Sequence, residues 1–464
     1  MKLETGSSCF DGRSASTAPV VYIRPRGTGN GKRGREPPGS ASKVAQQHKR
    51  RRLWKPRLRP LARHQVPREL RPDRIHEIAL RLPEGLRDPG FARLLSRIDQ
   101  TPVLGGNRVE VYFDGRSAFD AIKHAGDAAQ TEILVESYIW RDDDTGRRAL
   151  DGLARAVARG VAVRALADAV GSLSTKRAYW EELRRRGIEV RLFGTFLLQP
   201  FRDHRKIVVV DRRVAFTGGM NIADEYSGGS GLGSGGKTDS AWRDTHARVE
   251  GAAAWEMATV FSEGWIEAGG APLDLRPLEP PDDSPARVVV LDARPGRGYE
   301  ETASVLAAVV SAARERVWIT NAYFAPRRRA IGVLAAAVRR GVDVRLLLPG
   351  VSDVPIVRHA GHGWYAALLA AGVRIFEFQP SILHAKTAVA DDYASLVGSS
   401  NLDFRSFHLN AECNFLILDD AVGRSMSAAF ERDLEQSKEI DAGWRRSVPH
   451  RAGDFVARKL GILL

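Results

Sequence analysis

The stretch HRKIVVVD (residues 204–211) recurs as HAKTAVAD (residues 384–391), and these two stretches decide the fold. Both follow the pattern H-x-K-x4-D, whereas a chain with 11 His and 12 Lys should contain only about 0.3 His-x-Lys pairs by chance. An apolar run rich in valine and alanine follows each lysine, which is typical of a buried strand. Two such matches, 180 residues apart, predict that one structural unit occurs twice in the chain.

The sequence that precedes the two stretches repeats as well. LARAVARGVAVRAL (153–166) matches LAAAVRRGVDVRLL (334–347), and in both we expect a helix to end at the glycine and a strand to follow. From Asn107 onward, strand and helix patterns alternate, as in α/β proteins. The sequence therefore predicts an α/β fold in which one unit is used twice.

Composition divides the chain into six predicted segments. Residues 1–72 are rich in Gly, Pro, Ser and Arg and lack hydrophobic periodicity, which is typical of disorder. The stretch GGAPLDLRPLEPPDDSPA between the repeats has the composition of a linker. The predicted segments are a disordered basic tail (1–72), a helical lead-in (73–106), a first domain (107–268), a linker (269–286), a second domain (287–443) and a C-terminal segment (444–464).

The net charge of +14 lies entirely in the predicted tail. Residues 1–72 hold 18 Lys and Arg against 4 acidic residues, whereas residues 73–464 hold 52 of each kind. A formally neutral body disfavours nucleic acid as a partner. A functional tail would attract anionic lipid headgroups, and the alternative is a solvated extension without a role.

Neither a membrane span nor a disulfide framework is predicted. No stretch approaches the roughly 18 consecutive apolar residues that a membrane-spanning helix needs, and the N-terminus lacks the apolar region of a signal peptide. Two cysteines, Cys9 and Cys413, are too few for a disulfide framework. We therefore expect a soluble or peripheral protein of the cytoplasm.

The polar residues of the two stretches are suited to holding a small anion. His204 and Lys206 lie two positions apart, so their side chains leave the same face of a strand, and the second stretch repeats the arrangement. Each aspartate lies seven positions after the histidine, an odd offset that turns it to the other face, where it would anchor the strand or a neighbouring helix. The candidate catalytic residues are His204, Lys206, Asp211, His384, Lys386 and Asp391.

Short polar groups follow each stretch at a fixed spacing. Asn221 follows His204 at the distance at which Asn401 follows His384, which adds an amide donor near the anion. The first half has Gly219 where the second has Ser399, so one hydroxyl donor is missing. The two half-sites are therefore predicted to be unequal.

The paired H-x-K-x4-D stretches resemble the phospholipase D superfamily, whose mark is this duplicated signature. Among its members, GGMNIADEY (218–226) and GSSNLDFRSFHLNAE (398–412) look like bacterial cardiolipin synthases, in particular the branch without N-terminal membrane helices. The resemblance extends from about Asn107 to Asp420. It implies two tandem phospholipase D-like α-β-α domains, related by a pseudo-twofold axis, with one active site at their interface.

The resemblance also implies a mechanism. One histidine attacks phosphorus and the other serves as acid and base; by analogy His204 is the nucleophile and His384 the acid/base, an order that the sequence alone leaves open. Lysine and asparagine side chains would stabilise charge on the phosphoryl oxygens, so no metal or cofactor is expected. Glu412 matches the acidic residue that supports a catalytic histidine, and Asp244 is its predicted counterpart. The predicted support residues are Asn221, Ser399, Asn401, Asp244 and Glu412.

The function implied by the resemblance is phosphatidyl transfer. A cardiolipin synthase joins two phosphatidylglycerols and releases glycerol, so phosphatidylglycerol and an anionic membrane surface are the expected partners, and nucleic acid is not. We expect a peripheral protein at the cytoplasmic side of the cell membrane. The alternatives are a phospholipase D-type lipid hydrolase or a nuclease, in which water is the acceptor, and an inactive lipid-binding scaffold. The acceptor alcohol and the oligomeric state stay open.

Three further features have competing interpretations. The apolar stretch LFGTFLLQPF (192–201) would be either a lip that contacts acyl chains or a strand with a buried loop. His359 and His362 would suggest a metal site, but no carboxylate or thiol cluster accompanies them in sequence, so a structural or headgroup-binding role is favoured. The acidic run 142–144 is predicted to cap a helix rather than to bind a metal.

Overall fold

The structure, a computed structural model, describes residues 72–99, 101–194, 200–228, 241–275, 284–295, 301–441, 443–444 and 454. The predicted basic tail lies outside these ranges except for its last residue. Parts of the predicted linker and apolar lip and most of the predicted C-terminal segment also lie outside them.

The elements alternate between strand and helix over most of the described chain. The helices are α1 (Pro72–Leu80), α2 (Pro89–Asp99), α3 (Gly115–Ala128), α4 (Asp144–Ala158), α5 (Arg177–Arg185), α6 (Asp224–Ser227), α7 (Ala252–Glu267), α8 (Glu301–Ala312), α9 (Arg328–Arg339), α10 (Pro355–Ala370), α11 (Phe404–His408) and α12 (Asp420–Glu435). The strands are β1 (Leu104–Tyr112), β2 (Glu132–Ser137), β3 (Ala162–Asp168), β4 (Glu189–Phe193), β5 (Arg202–Asp203), β6 (Lys206–Val210), β7 (Val214–Gly218), β8 (His246–Gly251), β9 (Ala286–Ala293), β10 (Arg316–Asn321), β11 (Asp343–Pro349), β12 (Arg374–Phe378), β13 (Lys386–Ala390), β14 (Ala394–Gly398), β15 (Asn410–Leu418) and β16 (Ser437–Ile440).

One continuous sheet runs through both halves. The first half has the strand order β4-β3-β2-β6-β7-β8-β1, and the second has the matching order β12-β11-β10-β13-β14-β15-β9, with β16 added at the edge beside β12. The two halves meet where β1 pairs with β9, its own counterpart, in antiparallel fashion. The prediction of two tandem α/β units related by a pseudo-twofold axis is therefore confirmed.

Helices cover both faces of the sheet. Successive strand side chains point to opposite faces, so Leu134 contacts the layer that contains α7 and α12, whereas Ile133 and Val135 contact the layer that contains α4 and α5. Phe261 of α7 belongs to the same buried cluster as Phe415 of β15. This cluster spans both halves, so burial of apolar surface holds the halves together.

The lead-in helices pack against the second half, although they precede the first half in the chain. Ile75, Phe91 and Leu95 are buried in one cluster with Val305 and Val309 of α8. Helices α1 and α2 thus complete the core of the second half.

Two local findings bear on the predictions. The side chain of Asp143 accepts a hydrogen bond from the Gly146 N–H at 2.9 Å, which confirms the predicted helix cap at the start of α4. Among the described helices, none is both long enough and apolar enough to cross a bilayer.

Candidate active site

Backbone hydrogen bonds between the halves position the two histidines of the repeated stretches. Each histidine lies two residues before the start of its strand, β6 or β13, in the segment that contacts the opposite half. The His204 N–H donates to the Ala411 carbonyl at 2.9 Å, and the His384 N–H donates to the Arg243 carbonyl at 2.8 Å. Each half therefore holds the histidine of the other in place, and both histidines lie at the interface.

His204 is paired with a buried carboxylate of the second half. Its Nδ1 lies 3.0 Å from both oxygens of Glu412. Glu412 also accepts hydrogen bonds from the hydroxyls of Ser399 (2.5 Å) and Ser406 (2.8 Å) and from the amide of Asn410 (3.4 Å). A carboxylate held in this way fixes the tautomer of His204 with hydrogen on Nδ1 and leaves the Nε2 lone pair for chemistry.

The electrostatic surroundings keep His204 neutral. Burial lowers its pKa to about 4, and the charges of Lys206 and Lys386 act in the same direction against the opposing effect of Glu412. Because Lys386 belongs to the second half, charges from both halves act on His204.

His384 has the reciprocal partner. Its Nδ1 donates to Asp244 Oδ2 at 2.8 Å, and the Thr245 N–H donates to the other carboxylate oxygen at 2.7 Å. Burial and the neighbouring Lys386 lower the pKa of His384, while Asp244 raises it. Each imidazole is thus oriented by an acid that lies in the opposite half of the chain.

The strand register places Asp244 and Glu412 at equivalent positions. Gly218 lies opposite His246 in the β7–β8 ladder, and Gly398 lies opposite Asn414 in the β14–β15 ladder. Each acid precedes that partner residue by two positions. The sequence prediction located Asp244 at this position across an insertion, and the ladders place it there.

The difference between Gly219 and Ser399 has a steric cause. A Cβ at residue 219 would lie 2.2 Å from Asp244 Oδ1, so the carboxylate of Asp244 occupies the space that the Ser399 side chain fills in the other half. The first half therefore makes room for Asp244 with a glycine, whereas the second half holds the longer Glu412 with the Ser399 hydroxyl.

Two buried lysines line the site. Lys206 Nζ donates to the His204 carbonyl at 2.7 Å, and Lys386 Nζ donates to the His384 carbonyl and lies 2.9 Å from Nε2 of the same histidine. Burial lowers the pKa of Lys206 to about 7 and that of Lys386 to about 8. Ammonium groups with so little water around them interact strongly with a bound anion.

Asp211 and Asp391 lie outside the site. Each follows the last residue of its strand, seven residues after the histidine, so it is about 23 Å along an extended chain from it. Asp391 accepts hydrogen bonds from the backbone N–H groups of Arg314, Glu315 and Arg316 at 2.8–2.9 Å, and Asp211 makes the equivalent bonds to residues 130–132. The two aspartates anchor strand ends; the structure does not bring them to the reacting groups.

Asn221 and Asn401 hold the loops that flank the histidines. Asn221 Oδ1 accepts from the Ile139 N–H at 3.1 Å, and Asn401 Oδ1 accepts from the Tyr323 N–H at 3.3 Å. Both asparagines are buried. Their carbonyl oxygens are therefore used for structure. Asn221 Nδ2 also donates to the Tyr226 hydroxyl at 2.7 Å, so only the other N–H of that amide would serve an anion.

Sequence reasoning missed the aromatic walls of the site. The ring of Tyr138 lies 4.8 Å from that of His204, while Tyr226, Trp242 and Tyr323 lie 5.3–5.9 Å from the ring of His384. Comparison of the repeats would not have found them, because Tyr138 and Tyr323 occupy neighbouring rather than equivalent positions after β2 and β10. These rings exclude water from the imidazoles.

Sequence reasoning also missed Arg205, the residue between the histidine and lysine of the first stretch. It is fully buried and pairs with Glu136 at 2.8 Å, Asp203 at 3.0 Å and Asp292 at 3.4 Å. The second stretch has Ala385 at this position, so the ion network is particular to the first half. A variable position in the signature gave no signal for it.

The expectation that no carboxylate accompanies His359 and His362 is wrong. Asp454 Oδ1 lies 2.9 Å from His359 Nδ1, and Glu377 Oε1 lies 2.9 Å from His362 Nε2. These acids are 95 and 15 residues away in sequence, too far for a local motif to include them.

Comparison with known proteins gives one consistent result. The model of the family described as cardiolipin synthase, phospholipase D-like domain, matches residues 122–227 and 306–434. Cardiolipin synthase A of Pseudomonas fluorescens is 37% identical over 358 residues, which cover 75% of this chain and 73% of that protein. Cardiolipin synthase A of Pseudomonas putida is 38% identical over 361 residues, with the same coverage.

A solved structure has the same fold. The crystal structure of phosphatidylserine synthase from Haemophilus influenzae aligns with a TM-score of 0.61, covering 81% of this chain and 98% of that one. At 17% identity, this similarity concerns the fold alone.

Proposed function

The chain belongs to the phospholipase D-like family of cardiolipin synthases, and from this we propose that it transfers a phosphatidyl group between two phosphatidylglycerols, forming cardiolipin and releasing glycerol. The observation that carries the proposal is the pair of buried imidazoles, each fixed at Nδ1 by an acid of the opposite half. Such a pair provides one group to attack phosphorus and one to move a proton.

In the first step, His204 Nε2 attacks the phosphorus of a phosphatidylglycerol. A P–N bond forms, the P–O bond to the glycerol headgroup breaks, and the departing oxygen takes a proton from His384. The assignment of His204 as nucleophile is supported by its pKa of about 4, because an imidazole that stays neutral keeps its lone pair. Glu412 stabilises the positive charge that develops on the ring.

In the second step, His384 takes the proton from a hydroxyl of the second phosphatidylglycerol. The resulting oxygen attacks phosphorus, the P–N bond breaks, and His204 returns to its neutral form. Lys206 and Lys386 would stabilise the charge on the phosphoryl oxygens in both steps, the electrostatic work that a metal ion performs elsewhere. No metal is needed for this chemistry.

We also propose that the protein works at the surface of an anionic membrane, in line with the peripheral location at the cytoplasmic side predicted from sequence. Four large apolar side chains are exposed among the described residues, and three of them follow the equivalent strands β3 and β11: Leu173 (70% exposed) and Val351 (46%) in the loops after these strands, and Ile356 (38%) in the first turn of α10. We call these three the apolar rim.

Both loops of the apolar rim contact the active site. Ser172 Oγ donates to the Tyr138 carbonyl at 3.2 Å, and the Tyr323 hydroxyl donates to Asp353 Oδ2 at 2.6 Å. Insertion of the apolar rim into lipid would therefore bring the headgroup layer to the histidines.

The test is an assay of the purified full chain with phosphatidylglycerol vesicles, in which glycerol and cardiolipin are measured together. Equal amounts of the two products are expected, with little effect of EDTA. Phosphatidic acid as the only lipid product would contradict transfer and identify a hydrolase that uses water.

Variants test the shared site. We expect His204→Ala and His384→Ala each to abolish turnover, whereas His124→Ala, on the exposed surface of α3, should leave it unchanged. With phosphate-labelled lipid, label should form on the protein in His384→Ala, more slowly than in the parent because the leaving oxygen lacks its proton donor, and should not form in His204→Ala. The opposite labelling pattern would reverse the two roles.

A further inference from the structure

His359, His362 and Asp454 form a cluster of metal-ligand side chains in the second half, and the catalytic mechanism does not use it. The two histidines lie three positions apart on α10, so they share one face of the helix. One ligand atom from each of the three residues lies within 4.8 Å of the other two. His362 and Asp454 are buried, whereas the His359 side chain is 39% exposed.

The chemistry of this cluster is that of a zinc site. Imidazole nitrogen and carboxylate oxygen are the ligands that Zn²⁺ takes in proteins besides thiolate, and three protein ligands leave one position for water. His359 Nδ1 and Asp454 Oδ1 are 2.9 Å apart, close to the roughly 3.3 Å between ligand atoms around a tetrahedral zinc ion. The exposed side of His359 provides a path of entry.

A second layer of contacts supports the cluster. A histidine that binds a metal commonly donates its other ring N–H to a carboxylate, which fixes the ring. His362 Nε2 donates to Glu377 at 2.9 Å, so Nδ1 is the atom that a cation would take. Glu377 is itself held by the Tyr365 hydroxyl at 3.2 Å and by Arg358 at 3.3 Å.

The cluster does not derive from the duplicated catalytic unit. In the matching ladders of the first half, the position of Glu377 is occupied by Leu192. Asp454 lies beyond the residues matched by the family model. The cluster therefore need not take part in the chemistry that the two halves share.

We propose that His359, His362 and Asp454 bind one divalent cation of the zinc class, which fastens Asp454 to α10 and stabilises the second half without taking part in phosphatidyl transfer. Because a cation bound only by the folded state raises stability, the proposal predicts a metal-dependent unfolding temperature.

The test uses the untagged full chain, freed of metal with EDTA and titrated with Zn²⁺ alone. Calorimetric titration should show about one equivalent bound, and thermal unfolding should shift to higher temperature with Zn²⁺ but not with Mg²⁺. Absence of Zn²⁺ binding would overturn the proposal. Neither readout depends on whether the chain makes cardiolipin, so this proposal and the proposed function can fail separately.

Variants locate the site. His359→Gln and Asp454→Asn should each weaken Zn²⁺ binding by at least about tenfold, and Glu377→Gln should weaken it while keeping the stoichiometry. His124→Gln, which removes an exposed histidine of α3, is the matched control and should bind as the parent does. Unchanged affinity in both His359→Gln and Asp454→Asn would overturn the assignment. If Asp454→Asn fails to fold, His359→Gln still tests the assignment of the site, because the His359 side chain is partly exposed.

Discussion

The protonation state of His204 depends on opposing contributions. Burial and two lysines favour the neutral ring, while Glu412 favours the charged one, and the balance sets a pKa of about 4. The ordinary value of a histidine is about 6.5, so this imidazole remains a nucleophile in mildly acidic solution. Lys206 and Lys386, with pKa values of about 7 and 8, lose their charge as the pH rises through that range.

We therefore predict a bell-shaped dependence of kcat/KM on pH. The acid limb should lie near pH 4, where His204 gains a proton; the alkaline limb should begin where His384, whose pKa is lowered from its ordinary value, loses the proton it donates, and loss of the Lys206 charge near pH 7 should add to it. Glu412→Gln should move the acid limb to lower pH, because it removes the charge that raises the His204 pKa. An acid limb near pH 6.5 in the parent protein would show that His204 is not the desolvated nucleophile.

Gly219 and Ser399 give a second prediction at single residues. Gly219→Ala should lower kcat by about a hundredfold or more, because the new Cβ would displace the Asp244 carboxylate that orients His384. Ser399→Ala should cost about tenfold, since it removes one of four hydrogen bonds to Glu412. Steady-state kinetics at saturating lipid would measure both effects. A Gly219→Ala enzyme with normal kcat would mean that Asp244 can shift without loss.

At the scale of elements, the two anchoring aspartates act through backbone geometry. Asp211 and Asp391 both have φ of 51°, and the next residue in each case is also left-handed. Burial raises the pKa of Asp211, but the backbone N–H groups that donate to its carboxylate have the larger combined effect and lower the pKa below the usual range. The same turn thus ends β6 and β13 and ties each to the start of the adjoining strand, β2 or β10.

Asp391→Ala should reduce the free energy of unfolding by about 1–3 kcal/mol, because three N–H groups lose their acceptor. Asp391→Asn keeps one carbonyl oxygen and should cost less. Urea denaturation would give both values, and kcat per folded molecule should stay near that of the parent. A loss of kcat as deep as that of His384→Ala would instead place Asp391 in the chemistry.

At the scale of the whole molecule, the apolar rim lies at one end of both halves. Replacing Leu173 and Val351 together by Glu should weaken binding to phosphatidylglycerol vesicles by about tenfold or more, since two apolar side chains would no longer be buried in lipid. Ile266→Glu is the control, because Ile266 is also exposed (44%) but lies on α7 outside both loops. Vesicle sedimentation measures the effect. Equal binding of the rim variant and the control would exclude insertion by these loops.

The sequence predicted the duplicated unit because strand and helix periodicity are local properties, and the repeated H-x-K pairs marked the strands that carry the histidines. It did not predict which acid contacts which histidine, since His204 and Glu412 are 208 residues apart and meet only through pairing of β5 with β15. The sequence also did not predict the packing of α1 and α2 on α8, because the pattern of an amphipathic helix identifies its apolar face but not the element that the face contacts. Asp454 was missed because it is 95 residues from His359, too far for a local motif to include it.

The pairing of β1 with β9 has a consequence for how the molecule assembles. In many homodimers, the interface forms where a strand pairs with its own copy across a twofold axis. Here the two equivalent strands belong to one chain. Only two residue pairs register across it, Leu104 with Val288 and Asn107 with Ala286, against seven between β15 and β9. Covalent connection raises the effective concentration of each half for the other, so these strands need less affinity of their own. The connection between the halves therefore adds to the buried cluster and the β5–β15 pairing that already hold them together.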